Sequence, residues 1–143
     1  MKIASRFTIA VHTLLFIQTF HEEYRITSEF IASSVNVNPV VIRRILGQLK
    51  DAGMVTISRG TGGTSLAKEP KSITLFDIYN AVDSVDDTIF GFHESPNPKC
   101  PVGGNIHAIL DSPLENAQSA LELSLKRVKL QDLIANLESK LKS

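Results

Sequence analysis

The segment from Thr27 to Ala67 constrains the fold most, because its residue pattern changes three times at recognisable boundaries. Apolar residues with helical spacing lead into the turn Asn36-Val37-Asn38, and Pro39 then takes a first helical position, where its missing N–H costs nothing. From Met54 the apolar period drops to two, and a glycine-rich turn separates two short apolar runs. The segment therefore predicts a helix, a tight turn, a second helix and a β-hairpin.

The second of these helices has two different faces. The face predicted to be buried carries aliphatic residues at three- and four-residue spacing: Ile42, Ile45, Leu46 and Leu49. In a helix-turn-helix the second helix enters the major groove, where every base pair shows a distinct pattern of donors and acceptors. The predicted DNA contacts are Ser28, Asn38, Val40, Arg43, Arg44 and Gln48 in the helices, and Arg59, Gly60, Thr61 and Thr64 in the hairpin. The alternative is that the polar face of this helix is merely solvated.

These residue types suit the two grooves. Arginine pairs with the guanine edge through two hydrogen bonds, asparagine and glutamine suit adenine, and valine contacts the thymine methyl group. In the hairpin, Arg59 stands beside a loop with few side chains, so the backbone can approach the sugar-phosphate chain while the guanidinium enters a narrow minor groove. A tight turn without DNA contacts is the other interpretation of the glycines.

The rest of the chain predicts a mainly α fold with a small β-wing. Residues 1–82 form the expected winged helix-turn-helix domain, residues 83–112 a connector and sensor loop, and residues 113–143 a long helix with a break near Lys129. This helix carries an apolar stripe that must pack either on a partner or on the chain's own core, and we expect a homodimer. The stripe consists of Leu114, Ala117, Leu121, Leu125 and Val128.

Composition narrows the class of protein. Fifteen Lys and Arg balance fifteen Asp and Glu, so a nucleic-acid signal has to be local rather than global. The single cysteine, Cys100, excludes an intramolecular disulfide, and the polar residues within the apolar run near the N-terminus argue against a secretory signal or a membrane span. We therefore expect a cytoplasmic protein with no membrane partner.

Several motifs together resemble the Rrf-type family of bacterial winged helix-turn-helix transcription regulators. They are the Asn36-Val37-Asn38 turn, the run from Ile42 to Val55 that ends in Ala-Gly-Met-Val, the glycine-rich segment from Arg59 to Ala67, and Ile73-Thr74-Leu75-x-Asp77-Ile78. The resemblance implies a homodimeric repressor that binds a nearly palindromic operator. It places Asn38, Val40, Arg43 and Arg44 in the major groove and Arg59 in the minor groove. Arginines at 43 and 44, where the family often has Glu-Gln, imply a different base preference.

The connector contains the remaining candidate chemistry. Many members of the family hold an iron-sulfur cluster through three cysteines there, whereas this chain has only Cys100, so we expect no cofactor and no metal. Cys100 is a candidate redox sensor with Lys99 beside it to lower the pKa of the thiol, or it is an ordinary loop cysteine. A thiol enzyme needs an oriented base, and none is visible. A regulator is predicted over an enzyme, and a winged helix that binds only proteins remains the rival.

Overall fold

The computed structural model describes residues 5–58, 63–83, 90 and 92–142 of the chain. In chain order the helices are α1 (Ser5–Phe20), α2 (Ser28–Val35), α3 (Pro39–Asp51), α4 (Leu75–Asp83), α5 (Ile106–Lys126) and α6 (Leu130–Leu141). Strands β1 (Val55–Ser58) and β2 (Gly63–Leu66) pair in antiparallel fashion between α3 and α4, with Val55 opposite Leu66 and Ser58 opposite Gly63. The mainly helical fold with a two-stranded wing is the predicted one.

The core is aliphatic and lies where α1, α3 and α4 meet. Leu14 and Ile17 of α1, Ile42 and Leu49 of α3, and Ile78 of α4 are all fully buried. Leu130, the first residue of α6, is also fully buried, and its N–H donates to the carbonyl of Ile73. The end of the chain is thereby fixed to the winged domain, and burial of these side chains is the main stabilising contribution.

The α5 helix departs from the predicted boundary. It begins at Ile106, so Pro113 lies inside the helix instead of at its start, and the last residues of the predicted connector are helical. A break in the helix was predicted near Lys129. Helix α5 ends at Lys126 and α6 begins at Leu130, on either side of that residue.

The predicted dimerisation stripe is partly covered by its own chain. Leu114, Leu121, Leu125 and Val128 are half-buried, while Ala117 is exposed. The carbonyl of Val128 accepts the N–H of Leu75, which ties the end of α5 to α4. The large apolar side chains that α5 exposes are instead Ile109, with 59% of its surface accessible, and Leu123, with 49%. Ile109 and Leu123 therefore add to the apolar surface that the predicted stripe leaves accessible on α5.

Candidate nucleic-acid interface

Local hydrogen bonds fix the start of α2 and α3. Thr27 caps α2, since its Oγ1 accepts the N–H of Phe30 at 3.1 Å. Ser28, one of the predicted DNA contacts, is the first residue of the helix. Asn36 ends α2 in the left-handed conformation with φ 69°, and the Oδ1 of Asn38 accepts the N–H of Val40 at 2.9 Å to begin α3. These caps set the angle between the two helices of the motif.

Helix α3 presents the predicted recognition residues on one exposed face. Asn38, Val40, Arg43 and Arg44 are all exposed, and Val40 has 51% of its surface accessible. The opposite side is anchored by Ile42, Ile45, Leu46 and Leu49, each with 3% exposure or less. The space around Gly47 is open, because a Cβ placed there meets no atom within 4 Å. This face can therefore approach a groove without displacing any part of the core.

The structure pairs Arg43 with Glu29, a residue that the sequence did not indicate. The Nη2 of Arg43 donates to the Oε1 of Glu29 at 2.8 Å across the surface between α3 and the first turn of α2. Both side chains are exposed, at 54% and 65%. The pKa of Glu29 is lowered, first by a backbone hydrogen bond within the residue and then by the bond from Arg43. The carboxylate is therefore ionised when it meets Arg43.

A cleft of about 380 Å³ separates the start of α2 from the hairpin. Arg25, Ser28, Glu29 and Arg43 line it together with Ser58 of β1. Arg25 was not predicted as a contact, because it precedes α2 in a polar patch and only the folded chain brings it next to β2. The cleft joins α3 to the hairpin and carries two arginines, so a phosphate backbone passing between them would meet both.

Two of the predicted contacts are more buried than the sequence indicated. Thr64 lies in β2, where its N–H donates to the carbonyl of Ile26, and it lines the cleft with only 4% of its surface accessible. The amide of Gln48 is half-buried and its Oε1 is wholly buried, without a hydrogen-bond partner among the described residues. The DNA contacts of both residues stay predictions.

Two further predictions concern the wing. Arg59, Gly60 and Thr61 lie outside the described residues, and their contacts stay predictions. The period of two from Met54 places Val55 and Ile57 on the same face of β1, but Val55 is buried whereas 41% of the surface of Ile57 is accessible. On β1 only Val55 is buried, whereas on β2 the buried residues are Gly63 and Thr64.

Cys100 lies in a tight turn that precedes α5. The turn is held by the N–H of Cys100 donating to Asn97 and by that of Gly104 donating to the Cys100 carbonyl at 2.8 Å. The thiol is exposed, and backbone hydrogen bonds from Gly103 and then Val102 lower its pKa, while desolvation raises it slightly. The stabilising groups are therefore backbone N–H donors, where the sequence suggested Lys99.

The connector is fastened to α5 by stacked rings. The ring of Phe92 lies 4.0 Å from that of His107 at an interplanar angle of 18°, and it also stacks on His93. His107 in turn contacts Asp111 one helical turn later, at 3.3 Å. These contacts join the segment that precedes the Cys100 turn to the first turn of α5.

Neither a metal centre nor a membrane span can be assigned to the described part of the chain. Among residues 5–58, 63–83, 90 and 92–142 no group of three or more His, Cys, Asp or Glu could hold a metal ion. With one cysteine in the whole sequence, the residues do not fit an iron-sulfur cluster. No described helix is both long and apolar enough to cross a membrane.

The two capped helices, the two-stranded wing and the exposed face of α3 define a winged helix-turn-helix DNA-binding regulator. A profile of the Rrf2 family, described as iron-dependent transcriptional regulators, matches residues 3–136. YwnA of Bacillus subtilis strain 168, named as an HTH-type transcriptional regulator, is 42% identical over 135 residues, which are 94% of this chain and 98% of YwnA. The chain belongs to the Rrf2 family of transcription regulators.

Solved structures agree with this assignment. A crystal structure described as a DNA-binding protein shares 38% identity, with a TM-score of 0.71 over 91% of this chain and 99% of the other. CymR, the global cysteine regulator of Bacillus subtilis, has the same fold at 22% identity and a TM-score of 0.71, over 95% and 98% of the two chains.

Proposed function

We propose that the protein is a homodimeric repressor that acts in the cytoplasm and reads a nearly palindromic operator through α3 and the wing. The observation that carries this proposal is the exposed face of Asn38, Val40, Arg43 and Arg44, backed by a fully buried aliphatic face. Arg43 and Arg44 supply base and phosphate contacts, and Val40 supplies apolar contact with a thymine methyl group. Arg25 and Ser28, at the cleft beside the hairpin, contact the phosphate backbone.

Dimerisation follows from the exposed apolar surface of α5. Ile109 and Leu123 are fourteen residues apart, close to four helical turns, so they lie on nearly the same side of the helix. No residue of α5 is fully buried within the described chain. A second copy packed on this side covers both residues, and a two-fold dimer explains why such regulators read palindromes.

The DNA-binding proposal is tested by fluorescence anisotropy with DNA fragments selected from a random pool, measured at several salt concentrations. We expect affinity to fall steeply with salt, because neutralised phosphates release counterions. The matched control is Lys140→Ala on α6, an exposed cation remote from α3, which should leave the affinity unchanged. If the protein binds no DNA at low salt, the proposal is refuted and a winged helix that binds only proteins is favoured.

Thiol modification is proposed as the signal, since the backbone donors around Cys100 favour the reactive thiolate. The thiolate sulfur attacks one oxygen of a peroxide, the O–O bond breaks, and hydroxide leaves. Sulfur takes up the attacked oxygen with its hydrogen and is oxidised to a sulfenic acid, while the peroxide is reduced. The bulkier group disturbs a turn in which a Cβ at Gly103 would already lie 2.5 Å from the Asn97 carbonyl oxygen. The start of α5 moves with it.

The test compares operator affinity before and after mild peroxide treatment in the wild type and in Cys100→Ser. The wild type should lose affinity, and the serine variant should keep it. Equal losses in the two proteins would show that peroxide acts elsewhere.

A further inference from the structure

Glu29 places a negative charge on the surface that faces DNA. It lies in the first turn of α2, beside Ser28 and across from Arg43, and 65% of its side chain is exposed. A free carboxylate in that place repels phosphate and lowers affinity for every DNA sequence. A carboxylate next to the recognition helix must therefore have a function that outweighs this loss of DNA affinity.

The ion pair with Arg43 supplies that function. Nη2 of Arg43 is held by the Glu29 carboxylate at 2.8 Å, which restricts a long side chain that would otherwise adopt many rotamers. A guanidinium has five N–H donors, so those on its remaining nitrogens stay available for a base edge. Arg44, its neighbour on α3, has no acidic partner among the described residues and is free to reach phosphate.

We infer that Glu29 is a positioning residue for sequence specificity: it orients Arg43 for base reading and withdraws it from indiscriminate phosphate binding. This inference rests on the proposed DNA-binding function. Because the pair is exposed, it adds little to the stability of the fold. Removing Glu29 should therefore change discrimination between DNA sequences while the melting temperature stays close to that of the wild type.

A double-mutant cycle tests the inference. Affinity for the selected operator and for random DNA is measured for the wild type, Glu29→Ala, Arg43→Ala and the double variant. We expect Glu29→Ala to bind random DNA more tightly with a steeper salt dependence, and to lose about tenfold in the ratio of operator to random affinity. In the Arg43→Ala background the same change should alter that ratio less than about twofold, because Glu29 acts through Arg43.

The matched control is Glu69→Ala, which breaks an exposed ion pair with Lys71 of 3.2 Å outside the interface. It should change neither ratio nor salt dependence. The inference is overturned if Glu29→Ala leaves the ratio unchanged, or lowers it equally with and without Arg43. Glu29→Gln, which keeps an acceptor oxygen and removes the charge, should retain part of the discrimination but gain random affinity. If the wild type binds no DNA, the proposed function fails instead.

Discussion

At the scale of single residues, the candidate DNA interface contains two arginines with different surroundings. Arg43 is held by Glu29, whereas Arg44 is exposed beside it. The sequence predicted both as contacts, since their side chains fall on the polar face of one helix. It could not predict the pairing, because Glu29 and Arg43 are fourteen residues apart and meet only after α2 packs on α3. The burial of the Gln48 oxygen and of the Thr64 side chain likewise was not predicted from the sequence.

Truncating Arg43 and truncating Arg44 to alanine should change DNA binding in different ways. Arg44→Ala should weaken binding to all DNA sequences and reduce the salt slope by about one unit, as expected for a lost phosphate contact. Arg43→Ala should relax base preference at one position, costing roughly 1 to 3 kcal/mol on the preferred base. Anisotropy titrations against single-base variants of the operator measure both effects. If both variants show the same base preference and the same salt slope, the assignment of Arg43 to base contacts and of Arg44 to phosphate contacts is contradicted.

Cys100 gives a pH-dependent prediction. Its pKa is lowered by backbone donors in the folded turn, so the thiolate should persist to lower pH in the native protein than in the unfolded chain. The rate of alkylation by iodoacetamide should rise with pH in both states, with the native midpoint at the lower pH. Urea-unfolded protein serves as the reference. Coinciding profiles would remove the basis for a reactive thiol.

At the scale of elements, the sequence predicted helix ends well wherever a local device sets them. Pro39 and Asn38 begin α3, and Gly53, with φ 79°, follows its C-terminus as expected. The start of α5 was wrongly predicted at Pro113, because proline favours the first turn of a helix. Here the stacking of Phe92 on His107 holds an earlier turn against the connector, so the helix starts at Ile106 despite the hydrogen bond that Pro113 cannot donate.

The wing contains a glycine that its backbone requires. Gly63 has φ 70°, and an added Cβ would lie 2.8 Å from the backbone nitrogen of Ile26. Gly63→Ala should therefore lower the free energy of unfolding by roughly 1 to 3 kcal/mol, since left-handed strain and a backbone clash combine. Chemical denaturation measures the change, and operator affinity should fall as the wing is displaced.

Gly47→Ala is the matched control for this substitution. Gly47 is helical, and a Cβ there meets no atom within 4 Å. Alanine should raise the free energy of unfolding by up to about 1 kcal/mol, because glycine is the poorer helix former. A stable Gly63→Ala protein with unaltered DNA binding would show that the wing tolerates another backbone path.

At the scale of the whole molecule, α5 links the connector that contains Cys100, the proposed sensor, to the winged part of the chain. Its first turn is stacked against the connector, and its end is bonded to α4. The sequence predicted a long helix with an apolar face that must be buried. It did not indicate which side of the helix packs against the rest of the same chain. That depends on how α4 and the connector pack, which leaves Ile109 and Leu123 outermost.

The proposed dimer can be broken at this surface. Ile109→Glu should give a monomer by sedimentation at micromolar concentration, because a carboxylate cannot be buried against an apolar partner without cost. Leu141→Glu, at an apolar site on α6 that is 70% exposed against 59% for Ile109, is the control and should stay dimeric. A wild type that sediments as a monomer, or an Ile109→Glu protein that remains a dimer, would contradict this interface.

Selection of bound fragments from a random DNA pool tests the central claim most directly. Binding by α3 in successive major grooves predicts an enriched palindrome whose half-sites are spaced by about one helical turn, roughly 34 Å, or a multiple of it. Repeating the selection with Arg43→Ala should change the preferred base at one symmetric pair of positions. A pool that shows no enrichment, or the same motif for both proteins, would contradict recognition through this face of α3.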